Sequence, residues 1–456
     1  MAGPERAIID SRRAGPGALF VGLPGTRVDG GRFARAALAA GAWGALVAPE
    51  HAEAALVAPE RIEAALSGPS ASALTLGPAQ TAGRAFAGAL LSAEDPLAAL
   101  QRLAGAWRRE LGAQVIGVTG STGKTSTKDL LLAVLSPHRR TVASQANFNT
   151  EVGLPLEILS APAGTEVLVL EMGMRGAGQI AALAAIADPD VGVIVSVGPV
   201  HLELLGSIEA VAAAKGELIA ALRPGGTAII PAAEPLLEPH LRTDVVIVRF
   251  GDGGDVQLLR AVGERVVIDL AGRSITLEVP FRQAHLRASL LAAVAAARAV
   301  GVLAAGRIEL KLSPGRGQRV SLPGAITLID DCYNANPVSM RAALEDLAAT
   351  AVRDEHPRRI AVLGDMLELG VNERSFHLEV GEHARAAGVD VLVTVGALAA
   401  EMSERFGGEV HCVADAGEAA ALLPELLEPG DAVLVKASRG VGLELVCNAL
   451  GAGAGC

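Results

Sequence analysis

Between residues 117 and 131 the chain runs GVTGSTGKTSTKDLL: an apolar stretch, a glycine-rich turn, then a helix-forming segment. Backbone N–H groups in such a turn converge on one point, and the helix that opens there adds the positive end of its dipole, so the pair holds an anion. On this reading Thr119, Gly120, Ser121, Thr122 and Gly123 cradle the phosphates of ATP. Lys124 reaches the outer phosphates, Ser126 lies beside them, and Thr125 offers a hydroxyl to Mg²⁺. The spacing departs from the longer Walker loop: Val118 stands where that loop has its first glycine, and two residues separate Gly120 from Gly123. Three more groups follow in chain order. Glu171 ends the apolar run of LVLEMG, His201 comes after GPV, and Lys215 lies in the helical segment IEAVAAAKGEL. Singly, a strand-end Glu, a lone His and a helical Lys are most often structural; downstream of a phosphate loop they become a metal-and-phosphate site.

These groups need elements to hold them. AQVIGV before the turn and TKDLLLAVL after it have the order strand, loop, helix, and further apolar runs at residues 166–171 and 191–197 continue it as units of a parallel sheet. A strand-rich stretch over residues 244–280 and a long helix over 285–300 complete this nucleotide-binding core. Before it come the strand ALFVGLPG, a helix over residues 31–40 and the strand GALVAP, with helical character returning in the alanine-rich stretch 82–109. After the turn-rich LSPGRG, the strands ITLIDD, RIAVLGD, VLVTVG and AVLVKAS alternate with helices, the pattern of a doubly wound domain.

At 456 residues the chain exceeds what one hydrophobic core supports. The expected architecture is α/β in three domains: a small α/β domain over 1–97, a central parallel-sheet domain over 98–312 resembling the phosphate-loop ATPases, and a Rossmann-like doubly wound domain over 313–456. Apolar residues make up 51% and aromatics only 2%, so the cores are built of Ala, Val and Leu. The net charge of −11 argues against nucleic acid, which is bound through clustered Lys and Arg. MAGPERAIID lacks the basic start and apolar core of a secretory signal, which points to the cytoplasm. The apolar stretch 288–305 carries Arg298 and is expected to be a buried helix rather than a membrane span. Cys332, Cys412, Cys447 and Cys456 have neither disulfide-framework nor zinc spacing and are expected to be reduced thiols.

Taken together, DSRRAGPGALFVGLPGTRVDG, TGSTGKTS, QANFNTEVGLPL, LEMGMRGAGQIA, GPVHLELLGSIEAVAAAKGE, DDCYNANPVSM, VLGDMLELG and VKASRGVGLE resemble motifs of the Mur ligases over nearly the whole chain. The resemblance implies an ATP-dependent amide ligase of peptidoglycan synthesis, cytoplasmic and monomeric. DDCYNANPVSM with GDMLELG is similar to the branch that adds a dipeptide, which implies UDP-N-acetylmuramoyl-tripeptide and D-alanyl-D-alanine as substrates. The alternative is another ligase of the superfamily, one adding single amino acids or resembling folylpolyglutamate synthetase. A nucleotide switch would carry a guanine-selecting NKxD word, and the sequence has none.

The same resemblance implies roles residue by residue. Lys124 and Thr125 would serve ATP and a first Mg²⁺, Glu171 and His201 a second, and Lys215 would be carbamylated to give a further metal ligand. Ser11 and Arg12 would face the uridine or its diphosphate, and Asn147, Asn149 and Thr150 the acceptor channel. Arg316 and Asp331 would meet ATP, Asn334 and Asn336 the dipeptide side, and Lys436, Ser438 and Arg439 the incoming amine or carboxylate. Three places depart from the pattern. His285, Leu286, Arg287, Ala288 and Ser289 replace a His-Asn-x-x-Asn word, Ser196 replaces an Asn before the metal His, and Asp29-Gly30-Gly31 replaces Asp-Gly-His. The N-terminal domain also starts late, without an opening element that relatives carry.

Overall fold

A computed structural model describes residues 3–55, 75–81, 84–145, 148–350 and 358–451, with the backbone alone for 53–55, 75–81 and 84–87. The described residues form three sheets, of five, ten and six strands, each drawn from its own stretch of sequence. It folds as two compact units: Met1–Gly117, His138–Met172 and Ala181–Asp190 form one, and Val118–Pro137, Gly173–Ile180 and Val191–Cys456 the other.

In the first unit, Arg6–Ile8, Ala18–Val21, Gly44–Val47 and Arg84–Ser92 pair in parallel, and Thr75–Thr81 runs antiparallel to the last of them. The alanine-rich stretch expected to be helical from residue 82 is therefore strand over Arg84–Ser92. The helix begins only at Pro96 and runs to Leu111. Its limits are local chemistry: the Asp95 carboxylate accepts from Ala98 N at 2.9 Å, Pro96 occupies the first turn, and Gly112 ends the helix in the left-handed conformation. Alanine content alone misled, because alanine packs equally well inside a sheet. Thr141–Ala143 and Val167–Glu171 pair in parallel in the same unit.

In the second unit Val191–Ile194, Thr227–Pro231 and Val246–Phe250 are parallel neighbours, followed by antiparallel Val256–Val262, Arg265–Leu270 and Arg273–Glu278. The helix Ala284–Ala299 buries Leu290 through Ala297 between the helix Lys124–Leu135 and the strands from Val191–Ile194 to Val256–Val262. Its alanines let the two axes approach closely. Arg298 points outward and donates to Leu270 O at 2.9 Å. No helix among the described residues is long and apolar enough to cross a membrane.

The last sheet has the order Gln318–Leu322, Ile326–Asp330, Ala432–Lys436, Arg359–Gly364, Val391–Val395, Glu409–Val413, parallel except for the first strand. The alternation of strands and helices predicted four of these six. The two missed are the edges, whose outward residues are polar and whose apolar runs are short. Because Ile326–Asp330, Ala432–Lys436 and Arg359–Gly364 are neighbours, the loops after them, carrying Asp331, Ser438 and Asp365, open on one rim. Ser313, in the segment leading to this sheet, donates its N–H and Oγ–H to Asp129 at 2.8 and 3.1 Å, and Asp129 pairs with Lys128 at 2.9 Å. The segment is thus fastened one turn into the helix that starts at the phosphate loop.

Candidate active site

The glycine-rich turn has the geometry of a cradle. Gly123 adopts φ 79°, and a Cβ there would stand 2.9 Å from Val195 Cγ1 and 3.2 Å from Ser289 Oγ. Only glycine makes this approach to the start of the helix Lys124–Leu135. The turn is braced by the chain that follows Val191–Ile194. Ser121 Oγ donates to Gly198 O at 3.0 Å and accepts from Gly198 N at 2.9 Å. Ser196 Oγ accepts from Thr122 N at 2.9 Å and lies 3.0 Å from Thr122 O. The departure at Ser196 is accordingly a serine that holds the loop, and Ser289 from the first departure is buried against Gly123. His285 lies exposed at the start of the same helix as Ser289.

Lys124 turns back over the loop and donates to Gly120 O at 2.7 Å; Thr125 is buried behind it, while Ser126 is half-buried. The Thr119 hydroxyl, at the end of the strand Gln114–Thr119, is buried with no hydrogen-bond partner among the described residues. Lys215, on the helix Ile208–Ala221, is 2% exposed, and burial together with the charge of Lys124 pushes its ammonium well below the ordinary lysine range. Lys215 thus lies in a low-dielectric region within the field of Lys124, and its charged form is disfavoured there.

His201 takes a left-handed conformation, φ 52°, just before the short helix Leu202–Leu205. Its Nδ1 is hydrogen-bonded to the carboxylate of Glu368. Burial lowers the His201 pKa, and Glu368 opposes that shift. Glu368 also lies 3.6 Å from Arg175, and its backbone carbonyl accepts from Glu203 N at 3.4 Å. The loop carrying Glu368 is fixed by two side chains that sequence reasoning did not single out in this role. His377, fully buried, accepts from Met366 N at 2.9 Å and donates to Glu373 O, while Ser438 Oγ accepts from Leu367 N at 2.9 Å.

On the rim of the last sheet Lys436, almost fully buried, donates to Asp331 Oδ2 at 2.6 Å and to Asn334 O at 2.9 Å. Tyr333, the single tyrosine of the chain, has the guanidinium of Arg316 at 3.8 Å and that of Arg439 at 4.9 Å from its ring centre. Asn336 caps the helix Pro337–Thr350: its Oδ1 accepts from Ser339 N at 2.9 Å. Its buried side chain is engaged in turn chemistry.

In the first unit, Glu171 is buried at a strand end, its Oε1 accepting from Asn149 Nδ2 at 2.8 Å and its N–H donating to Ser144 Oγ at 3.0 Å. Thr150 Oγ1 accepts from Gly153 N at 3.3 Å, at the start of the helix Gly153–Ser160. Asn147 lies outside the described residues. Arg12 is exposed and pairs with Asp10 at 2.8 Å, which lowers the Asp10 carboxyl to about 2, and Ser11 beside it is half-buried. At the third departure, a Cβ on Gly31 would come within 2.1 Å of the His51 ring. His51 fills that space and pairs with Asp29 at 3.0 Å, so an imidazole stands beside Asp29 although the local sequence has none.

Comparison with known proteins gives the same picture from three directions. Residues 118–305 match the family model described as Mur ligase middle domain, 315–439 that of the Mur ligase, glutamate ligase domain, and 8–73 that of the Mur ligase family, catalytic domain. The UDP-N-acetylmuramoyl-tripeptide--D-alanyl-D-alanine ligase of Mycobacterium tuberculosis (strain CDC 1551 / Oshkosh) is 38% identical over 97% of this chain and 91% of its own length. The protein of the same name from Escherichia coli (strain K12) is 31% identical over 97% and 92%. Among solved structures, MurF from Acinetobacter baumannii superposes with TM-score 0.79 at 27% identity, over 98% of this chain and 93% of that one. MurF ligase from Thermotoga maritima in complex with ADP gives 0.77 at 27%, over 98% and 96%. With a braced phosphate loop, a buried Lys215 in the field of Lys124 and near-complete coverage by relatives at this identity, the chain belongs to the Mur ligase family.

Proposed function

We infer that this chain is an ATP-dependent ligase of the cytoplasm that joins D-alanyl-D-alanine to UDP-N-acetylmuramoyl-tripeptide and acts as a monomer. A carboxylate is a poor electrophile, so the terminal carboxylate of the tripeptide first takes the γ-phosphoryl group of ATP. The dipeptide amine then displaces phosphate from the acyl phosphate, forming the amide. The observation that carries this reading is the phosphate loop with Lys124 folded onto Gly120 O, ready to exchange that carbonyl for phosphate oxygens. The near-full-length relatives named for this reaction supply its substrates.

Within the second unit, Thr125 offers the hydroxyl oxygen that Mg²⁺ prefers and His201 an imidazole nitrogen. The partnerless Thr119 hydroxyl and the suppressed Lys215 charge fit an anionic, metal-bearing ligand beside them. When bound, Mg²⁺ neutralises charge on the phosphoryl oxygens. Lys124 orients the transferring group, and Ser196 with Ser121 keeps the loop amides aimed at it. Lys215 can take the further step of carbamylation: its neutral amine adds to CO₂, a C–N bond forms and one proton leaves. The product is an anion fit to ligate a metal where a cation was costly. Asp331, Lys436, Arg316 and Arg439 lie on the rim that would meet the nucleotide and the incoming dipeptide.

Phosphate release from ATP, followed with the nucleotide tripeptide and either D-alanyl-D-alanine or single amino acids, tests the assignment. Turnover is expected with the dipeptide alone; turnover with glutamate or another single amino acid would move the chain to a sister ligase.

A further inference from the structure

The His201–Glu368 contact joins residues 167 positions apart, one after the nucleotide-binding strands and the other in the GDMLELG loop of the last sheet. Both adopt the left-handed backbone that non-glycine residues rarely take, φ 52° and 63°. Such conformations persist where the surroundings hold them, and they cluster at functional contacts. The surroundings do hold Glu368. Met366 and Leu369 are buried on either side of it, His377 and Ser438 take the N–H groups of Met366 and Leu367, and Arg175 lies against its other carboxylate oxygen. An ionised carboxylate only accepts, so His201 Nδ1 is the donor, and in the neutral ring the lone pair then lies on Nε2.

We propose that Glu368 is a positioning residue for metal binding: it fixes the tautomer and the ring of His201 and does so only while the C-terminal sheet is docked on the nucleotide-binding part. Histidines that ligate metals commonly donate their second N–H to a carboxylate, and removing that carboxylate weakens the metal without removing the ligand. Here the carboxylate comes from a separate sheet, so docking of that sheet and completion of the metal site become one event. Arg175, largely exposed, lies 3.6 Å from the second oxygen and adds a weak attraction on the side away from the ring.

The proposal rests on His201 being a metal ligand, and the test separates the two claims. Mn²⁺ is titrated calorimetrically into the ADP-bound full chain, with the wild type, His201→Ala, Glu368→Ala and Glu368→Gln compared. Thermal unfolding of each variant confirms that it is folded. His201→Ala should abolish one class of Mn²⁺ site, and Glu368→Ala should weaken the same class by about 10–100-fold. Glu368→Gln, which keeps an acceptor but no charge, should fall between wild type and Glu368→Ala. In the double variant, Glu368→Ala should add nothing to His201→Ala. If His201→Ala leaves Mn²⁺ binding intact, the ligand reading fails and the proposal with it. If His201→Ala loses the site while Glu368→Ala retains wild-type affinity, the positioning role alone is overturned.

Discussion

Lys124 and Lys215 carry most of the electrostatic demand. A buried ammonium next to a second cation is held toward its neutral form, and a neutral amine is what adds to CO₂. The purified enzyme supplied with ¹³C-bicarbonate should show a lysine carbamate resonance that Lys215→Ala lacks; an identical resonance in the variant would place the modification elsewhere, and none in the wild type would refute it. Lys124→Ala should lower ligation by about 10²–10³-fold, the scale seen when one charge-stabilising group is removed from a transition state. The unfolding midpoint should hardly move, because Lys124 is only half-buried and its bond to Gly120 O is one of several that brace the turn. Retained dipeptide-dependent phosphate release in that variant would contradict the loop assignment.

At the scale of elements, the helix Lys124–Leu135 links the site to the rest of the second unit: its N-terminus opens at the phosphate loop and its second turn holds Ser313. Asp129→Asn keeps the shape but removes the buried charge that pairs with Lys128 and receives both Ser313 donors. We expect about 2–4 kcal/mol of destabilisation, visible as a lower urea midpoint, since an ion pair is broken inside the core. An unchanged midpoint would mean that Ser313 is not held there. The phosphate loop and the parallel strands around it were legible because apolar runs bounded by glycine and proline stand in fixed order. Gln318–Leu322 and Glu409–Val413 were not, since edge strands are half polar, and Arg84–Ser92 hid behind its alanines. Local sequence also cannot reveal a partner supplied from afar. Glu368 on His201 and His51 beside Asp29 became visible only once the chain was folded. Asn336 and Thr150, expected at substrate, also accept from backbone N–H groups in the first turn of a helix, which local sequence allows for such residues.

Across the whole molecule, the rim holding Asp331, Lys436, Tyr333 and the Glu368 loop belongs to the same compact unit as the phosphate loop. A rim and a phosphate loop carried by one unit can close around an acyl phosphate and keep water from it. Sheet docking, metal completion and catalysis are thereby expected to rise and fall together. The central claim is that a substrate carboxylate, not water, attacks ATP. It is tested most directly by supplying tripeptide nucleotide with ¹⁸O in its terminal carboxylate and recording the mass of the phosphate released alongside the amide. One ¹⁸O atom is expected to pass from the carboxylate into phosphate at each turnover; unlabelled phosphate accompanying full amide formation would rule out that route.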